Sequence, residues 1–172
     1  MKLDSAQKAT LQKPAQRLLS FIAKYDPHIA TLARSARSKL RKRMPGALEL
    51  VYDNYNALAV GFAPTERASD VIVSLALYPR WVSVFFMQGA RLTDPQKLLR
   101  GKGTQVRHIV LQSARDLDDP AIRALLDTAL RQARTPLPKG GPGKIVIKSV
   151  SSKQRPRRPV LQDSTRSRDS AS

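Results

Sequence analysis

The sequence predicts an α+β fold: two helices, an antiparallel sheet of four or five strands, and one further helix packed with the others on one face. Three observations carry that prediction. Apolar residues recur at helical spacing over residues 11–44 and 118–134, and at strand spacing or in unbroken runs between 48 and 111. Helical signals bracket the strands instead of alternating with them, the pattern of an antiparallel sheet and not of βαβ units. The two strongest strand runs, 71–78 and 81–87, are separated only by Pro79 and Arg80, too short a link for a parallel crossover.

The first helix is expected over residues 11–25, with Leu11, Ala15, Leu18, Leu19 and Ile22 on one face and Pro14 in the first turn. Asp26 and Pro27 read as an N-cap followed by proline at the first helical position. The second helix then carries Ile29, Leu32, Ala33, Ala36 and Leu40 on one face. It stops near Met44, because Pro45 and Gly46 break it. Residues 48–52 are the weakest strand, with a helical turn as the alternative. Residues 57–62 alternate Leu58, Val60 and Phe62 with the small Ala57, Ala59 and Gly61. Runs 71–78 and 81–87 form a hairpin, and a long connection at 88–103 leads to a strand at 104–111. Asp118, Asp119 and Pro120 open the last helix, whose apolar set is Ile122, Leu125, Leu126, Ala129, Leu130 and Ala133.

Charge divides the chain of 172 residues near Thr135. The net charge of +18 splits into +11 over residues 1–134 and +7 over the much shorter 135–172, which contain no aromatic ring. The first part is expected to be the folded domain. The second is expected to be a basic, Pro/Ser/Gly-rich and mostly disordered tail, because it has too little apolar surface to offset its ordering entropy. The run KIVIK at 144–148 is the exception, a strand or a docking segment. The absence of cysteine excludes disulfides, thiol catalysis and cysteine-ligated metals, and two histidines exclude a multi-histidine centre. No run approaches the roughly 18 apolar residues of a membrane span, and residues 1–13 lack the apolar core of a signal peptide. A cytoplasmic protein with no membrane partner is the plain reading.

The order of several short motifs resembles the YdhG-like superfamily, catalogued as domain of unknown function 1801. They are ELVYDNY at 49–55, WVSVFFM at 81–87, GARL at 89–92, DP at 94–95, LLRGKG at 98–103, RHI at 107–109 and DLD at 116–118. Together they cover about residues 15–134. The resemblance implies an α+β fold of the frataxin-like kind and an unassigned function. It also implies that iron carriage, described for some relatives, is one alternative. In this chain the acidic cluster Asp116, Asp118 and Asp119 reads as helix caps rather than iron ligands, and the net positive charge repels cations.

No catalytic constellation is recognisable, so neither an enzyme nor a cofactor is expected, and no metal site is assigned. The glycine loops at 101–104 and 141–144 both miss the spacing of a P-loop. His108 falls mid-strand and reads as a structural histidine; His28 reads as exposed. Two groups remain as candidate sites. Tyr52, Tyr55, Tyr78 and Trp81 cluster at strand ends, where rings with polar tips line a ligand pocket or pack with wetted edges; Arg91 and His108 complete the candidate set. Arg34, Arg37 and Arg41, widened by Lys39, Lys42 and Arg43, form a basic helical stripe, and Lys153, Arg155, Arg157 and Arg158 a basic arm. The expected function is a non-enzymatic module that binds a small ligand or protein partner. The first alternative is a non-specific nucleic-acid accessory whose affinity falls steeply with salt.

Overall fold

Helix initiation begins earlier than the apolar spacing suggests, because Asp4 and Gln7 form a reciprocal capping box: the Asp4 carboxylate accepts from Ala6 N–H, and the Gln7 side chain accepts from Asp4 N–H. The structure, a computed structural model, describes residue 2, residues 4–141 and residues 143–160, without the side chains of residues 8–12. Helix α1 spans Ser5–Ala23, so Pro14 lies inside it and not in the first turn. Leu18 and Ile22 are buried as expected. Leu19 is half out in solvent, and Leu11 lies outside the described side chains.

Helix α2 spans Pro27–Arg43 with proline at its first position; Asp26 makes no side-chain cap and instead faces Arg158 at 3.7 Å. Strands β1 (Leu48–Asp53), β2 (Leu58–Ala63), β3 (Val73–Leu77), β4 (Val82–Phe86) and β5 (Arg107–Leu111) follow, and helix α3 spans Pro120–Gln132. All five strands pair antiparallel in sequence order. The weak run at 48–52 is therefore a strand and not a helical turn. A sixth strand, β6 (Ile145–Val150), pairs parallel to β1, so the six-stranded sheet is mixed, in the order β5-β4-β3-β2-β1-β6. The five expected strands are antiparallel, and KIVIK adds a sixth that runs parallel to its neighbour. A strand that joins its neighbour from about ninety residues away has no tight turn to dictate its direction.

The register divides the sheet into two unlike faces. Val51, Leu58, Val60, Phe62, Val73, Leu75, Leu77, Val82, Val84, Phe86, Ile109 and Leu111 alternate onto the side covered by the three helices and form one core with them. Among the described residues none of the three α-helices covers the other face, where the short 3-10 turn Ala68–Asp70 brings Val71 onto Gly61. On that face stand Tyr52, Ala59, Gly61, Ser74, Ala76, Ser83, Phe85, His108 and Val110.

Order continues past β6. Ser151 N–H donates to the Asp53 carbonyl and Arg155 N–H to that of Tyr55. Arg157 is buried against Asp53 at 2.9 Å and also donates to the carbonyls of Asn54 and Tyr55. Residues 151–158 thus lie on the domain, where the sequence suggested chain without structure; apolar content missed this because a buried ion pair supplies the anchor. The remainder of the expected tail, 161–172, lies outside the described residues. Among the described residues no helix is long and apolar enough to cross a membrane.

Candidate functional site

Strand alternation builds a trough on the open sheet face. Four small residues from the two central strands, Ala59, Gly61, Ser74 and Ala76, line it, together with Tyr52, Tyr55, Tyr78, Phe85 and Met87. Small side chains at every second position of adjacent strands leave space that larger neighbours enclose. The result is a cavity of about 540 Å³, within the usual range for small-molecule sites of about 300–1,000 Å³. Gly61 is needed for close packing: a Cβ there would meet both methyls of Val71 at 3.0 Å.

Two polar groups on this face lack partners. The hydroxyl of Tyr52 is buried with no hydrogen-bond partner among the described residues, and so is that of Ser83 on β4. An enclosed hydroxyl without a partner costs roughly 1–3 kcal/mol; of the two residues only Tyr52 lines the trough. Burial pushes the Tyr78 phenol above its ordinary value, so it is neutral and able to donate at physiological pH.

Three of the predicted residues, Tyr52, Tyr55 and Tyr78, therefore line one cavity. Trp81 does not line it. Its indole stacks on the Tyr78 ring at 4.7 Å between centroids and stays 43% exposed. His108 stands on the same face one strand further out, its ring 5.2 Å from that of Phe85. Arg91 is elsewhere: it lines a separate hollow beside the C-terminal end of α3. The floor residues Ala59, Gly61, Ser74 and Ala76 were missed as site residues, although small residues alternating with large ones along β2 were the available signal.

The basic candidates separate into two places. Arg37 grips the buried Glu49 with two bonds, 2.6 and 3.0 Å, and Arg41 reaches it at 3.1 Å. Lys39 pairs with Asp118 at 2.6 Å and Arg43 with Asp127 at 3.2 Å. Arg34 and Lys42 make no ion pair among the described residues; with Arg37 and Arg41 they line a shallow hollow of about 500 Å³ near Gly46 and Gly143. The arm residues dock at the other end of β1. Arg155 lies over the Tyr55 ring, Arg157 is buried on Asp53, and Arg158 donates to the Lys24 carbonyl. Lys153 is exposed. Stripe and arm are thus held about one strand length apart, some 17–20 Å.

The three aspartates of the acidic cluster are each engaged. Asp116 accepts from Gln112 and Ser113 N–H, and Asp119 caps α3 through Ala121 N–H. The hydrogen bond from Lys39 holds the Asp118 carboxyl below its ordinary range. No group of three or more His, Asp or Glu side chains is placed to hold a metal ion among the described residues. No family model, no curated protein and no solved structure matches this chain.

Proposed function

We propose that this chain is a YdhG-like binding module without catalytic machinery, and that the trough on the open sheet face takes a small, flat, largely apolar ligand carrying one hydrogen-bonding group. The observation that carries this reading is the trough itself, lined mainly by rings and small or apolar residues with Asn54, Asn56 and Ser74 among them; the hydroxyl of the lining residue Tyr52 is buried and finds no partner among the described residues. Flat ligands suit such a site because ring faces stack in an offset arrangement, and a single polar contact sets their orientation. The stripe and arm supply less support for nucleic-acid binding, since four of the helical cations and three of the arm cations are already bonded within the fold.

The chain's single tryptophan is a built-in reporter, because Trp81 stacks on a residue that lines the trough. Titration with 2-naphthol, a flat probe with one hydroxyl, is expected to change Trp81 emission and raise the melting temperature. Tyr52→Phe should weaken binding roughly tenfold, the scale of one hydrogen bond, and Ala59→Trp should fill the trough and abolish it. Binding untouched by Ala59→Trp would reject the trough as the site.

A further inference from the structure

A second hollow, of about 370 Å³, lies between the C-terminal end of α3 and the turns that flank the sheet. Arg67, Arg91 and Arg134 all line it, from positions far apart in the chain, together with Gln88, Gln105 and Gln132. None of the three guanidiniums makes an ion pair or a side-chain hydrogen bond among the described residues. Arg37, Arg41, Arg43, Arg157 and Arg158 are paired within the fold; Arg34, Arg80, Arg100 and Arg115 make no ion pair among the described residues either, but they do not converge on one hollow with the three. Three unpaired like charges around one concavity repel each other unless an anion joins them. The one lining carboxylate, Asp70, accepts a 2.6 Å hydrogen bond from the Thr65 hydroxyl.

We infer that this hollow is a binding site for a small phosphate-bearing molecule. Three cations and one carboxylate give the lining a net charge of +2, which matches a phosphate monoester of charge about −1.5 to −2 at neutral pH. The guanidinium fork suits the tetrahedral oxyanion, since it offers paired donors at a fixed spacing. Beneath the charged rim lie the buried Ile72, Phe86 and Leu92. They form an apolar floor for the organic part of the molecule, while the three glutamine amides offer neutral donors and acceptors at its edge. The site is distinct from the trough: no arginine lines the trough, and Val71 is the one residue the two linings share.

Calorimetry on the full chain at low salt tests the assignment with three probes. Phenyl phosphate, which carries both parts, is expected to bind at one site. Inorganic phosphate should bind more weakly, and phenol should give no heat with Ala59→Trp, the variant whose trough is filled. Arg91→Gln and Arg134→Gln should each weaken phenyl phosphate at least about tenfold, the scale of one charge-assisted hydrogen bond. Lys153→Gln, an equal charge change at a distant exposed position, should leave it unaltered. No heat with phenyl phosphate overturns the inference, as does an equal loss in the Lys153 variant. Binding of a short duplex that both arginine substitutions abolish, with no phenyl phosphate heat, would assign the hollow to a nucleic-acid backbone and likewise overturn it. The trough reading stands or falls separately, on 2-naphthol and Ala59→Trp.

Discussion

Glu49 and Asp53 begin and end the buried stretch of β1, on the same face of the sheet, and each is only 1% exposed. Their partners differ in origin and in wetness. Glu49 is held by two arginines of the neighbouring α2, one 13% and the other 44% exposed, and both of its oxygens are bonded. Asp53 is held by Arg157, which arrives from 104 positions later and is 4% exposed; Asp53 Oδ2 and Arg157 Nε have no hydrogen-bond partner among the described residues. Lys24 approaches Asp53 only to 3.9 Å, from an exposed side chain. The first carboxylate sits in a local, redundant, half-solvated cluster. The second depends on one sealed, non-local bond. A charge removed from water destabilises strongly when its only close partner goes, and less when a second partner and nearby solvent remain.

The largest effect is expected at the sealed pair. Arg157→Ala should lower the unfolding free energy by about 3–5 kcal/mol, measured by urea titration, whereas Asp53→Leu combined with Arg157→Met should restore most of it. A single-variant loss below about 1 kcal/mol, the range of an exposed pair, would mean that water reaches Asp53, and the contrast would vanish. Glu49→Gln is expected to cost about 1–3 kcal/mol, since two arginines lose their counter-charge but stay partly hydrated. A loss equal to that of Arg157→Ala would erase the distinction between local and distant partners.

Tyr25 sharpens the comparison through pH. Its hydroxyl donates to the Leu77 carbonyl and accepts from Leu58 N–H, and its ring lies 5.7 Å from the Arg157 guanidinium. Burial pushes its phenol up to about 12, against the lowering pull of Arg157. The folded state therefore keeps the proton between pH 10 and 12, where the unfolded phenol ionises. Its contribution is whole below about pH 10 and is lost as pH rises through 12. Tyr25→Phe should cost about 1–2 kcal/mol at neutral pH. The gap between the two proteins should narrow as pH climbs through that window; a constant gap in alkaline urea titrations would contradict the assignment. The smallest effect belongs to Arg41→Ala, under about 1 kcal/mol, because its side chain is well exposed and Arg37 retains Glu49.

Element type was legible wherever burial follows a simple period. Leu58, Val60 and Phe62 against Ala57, Ala59 and Gly61 announced a strand with one heavy and one light face, and that light face is the floor of the trough. Pro27 and Pro120 marked two helix starts correctly. What failed had a non-local or polar cause. Capping by Asp4 and Gln7 outweighed the position of Pro14. Whether KIVIK pairs as a strand or docks otherwise stayed open in the sequence, because its partner β1 lies about ninety residues away. Arg157 looked like one more solvated cation in SKQRPRR because nothing in its neighbours names Asp53. Arg91 was grouped with the tyrosines by closeness in sequence, yet the turn at Gly89–Arg91 carries it to a different hollow.

The parallel seating of β6 also sets a timetable. Arg157 follows Asp53 in the chain by 104 residues, an interval of about 5–20 s at ordinary elongation rates. Through most of that interval the nascent chain exposes a bare β1 edge, and throughout it an aspartate without its arginine. A ribosome stalled before residue 145 holds a species whose β1 edge is open to pairing with another chain. Completion of the sheet and neutralisation of its buried acid thus occur close together, once residues 145–157 have been made.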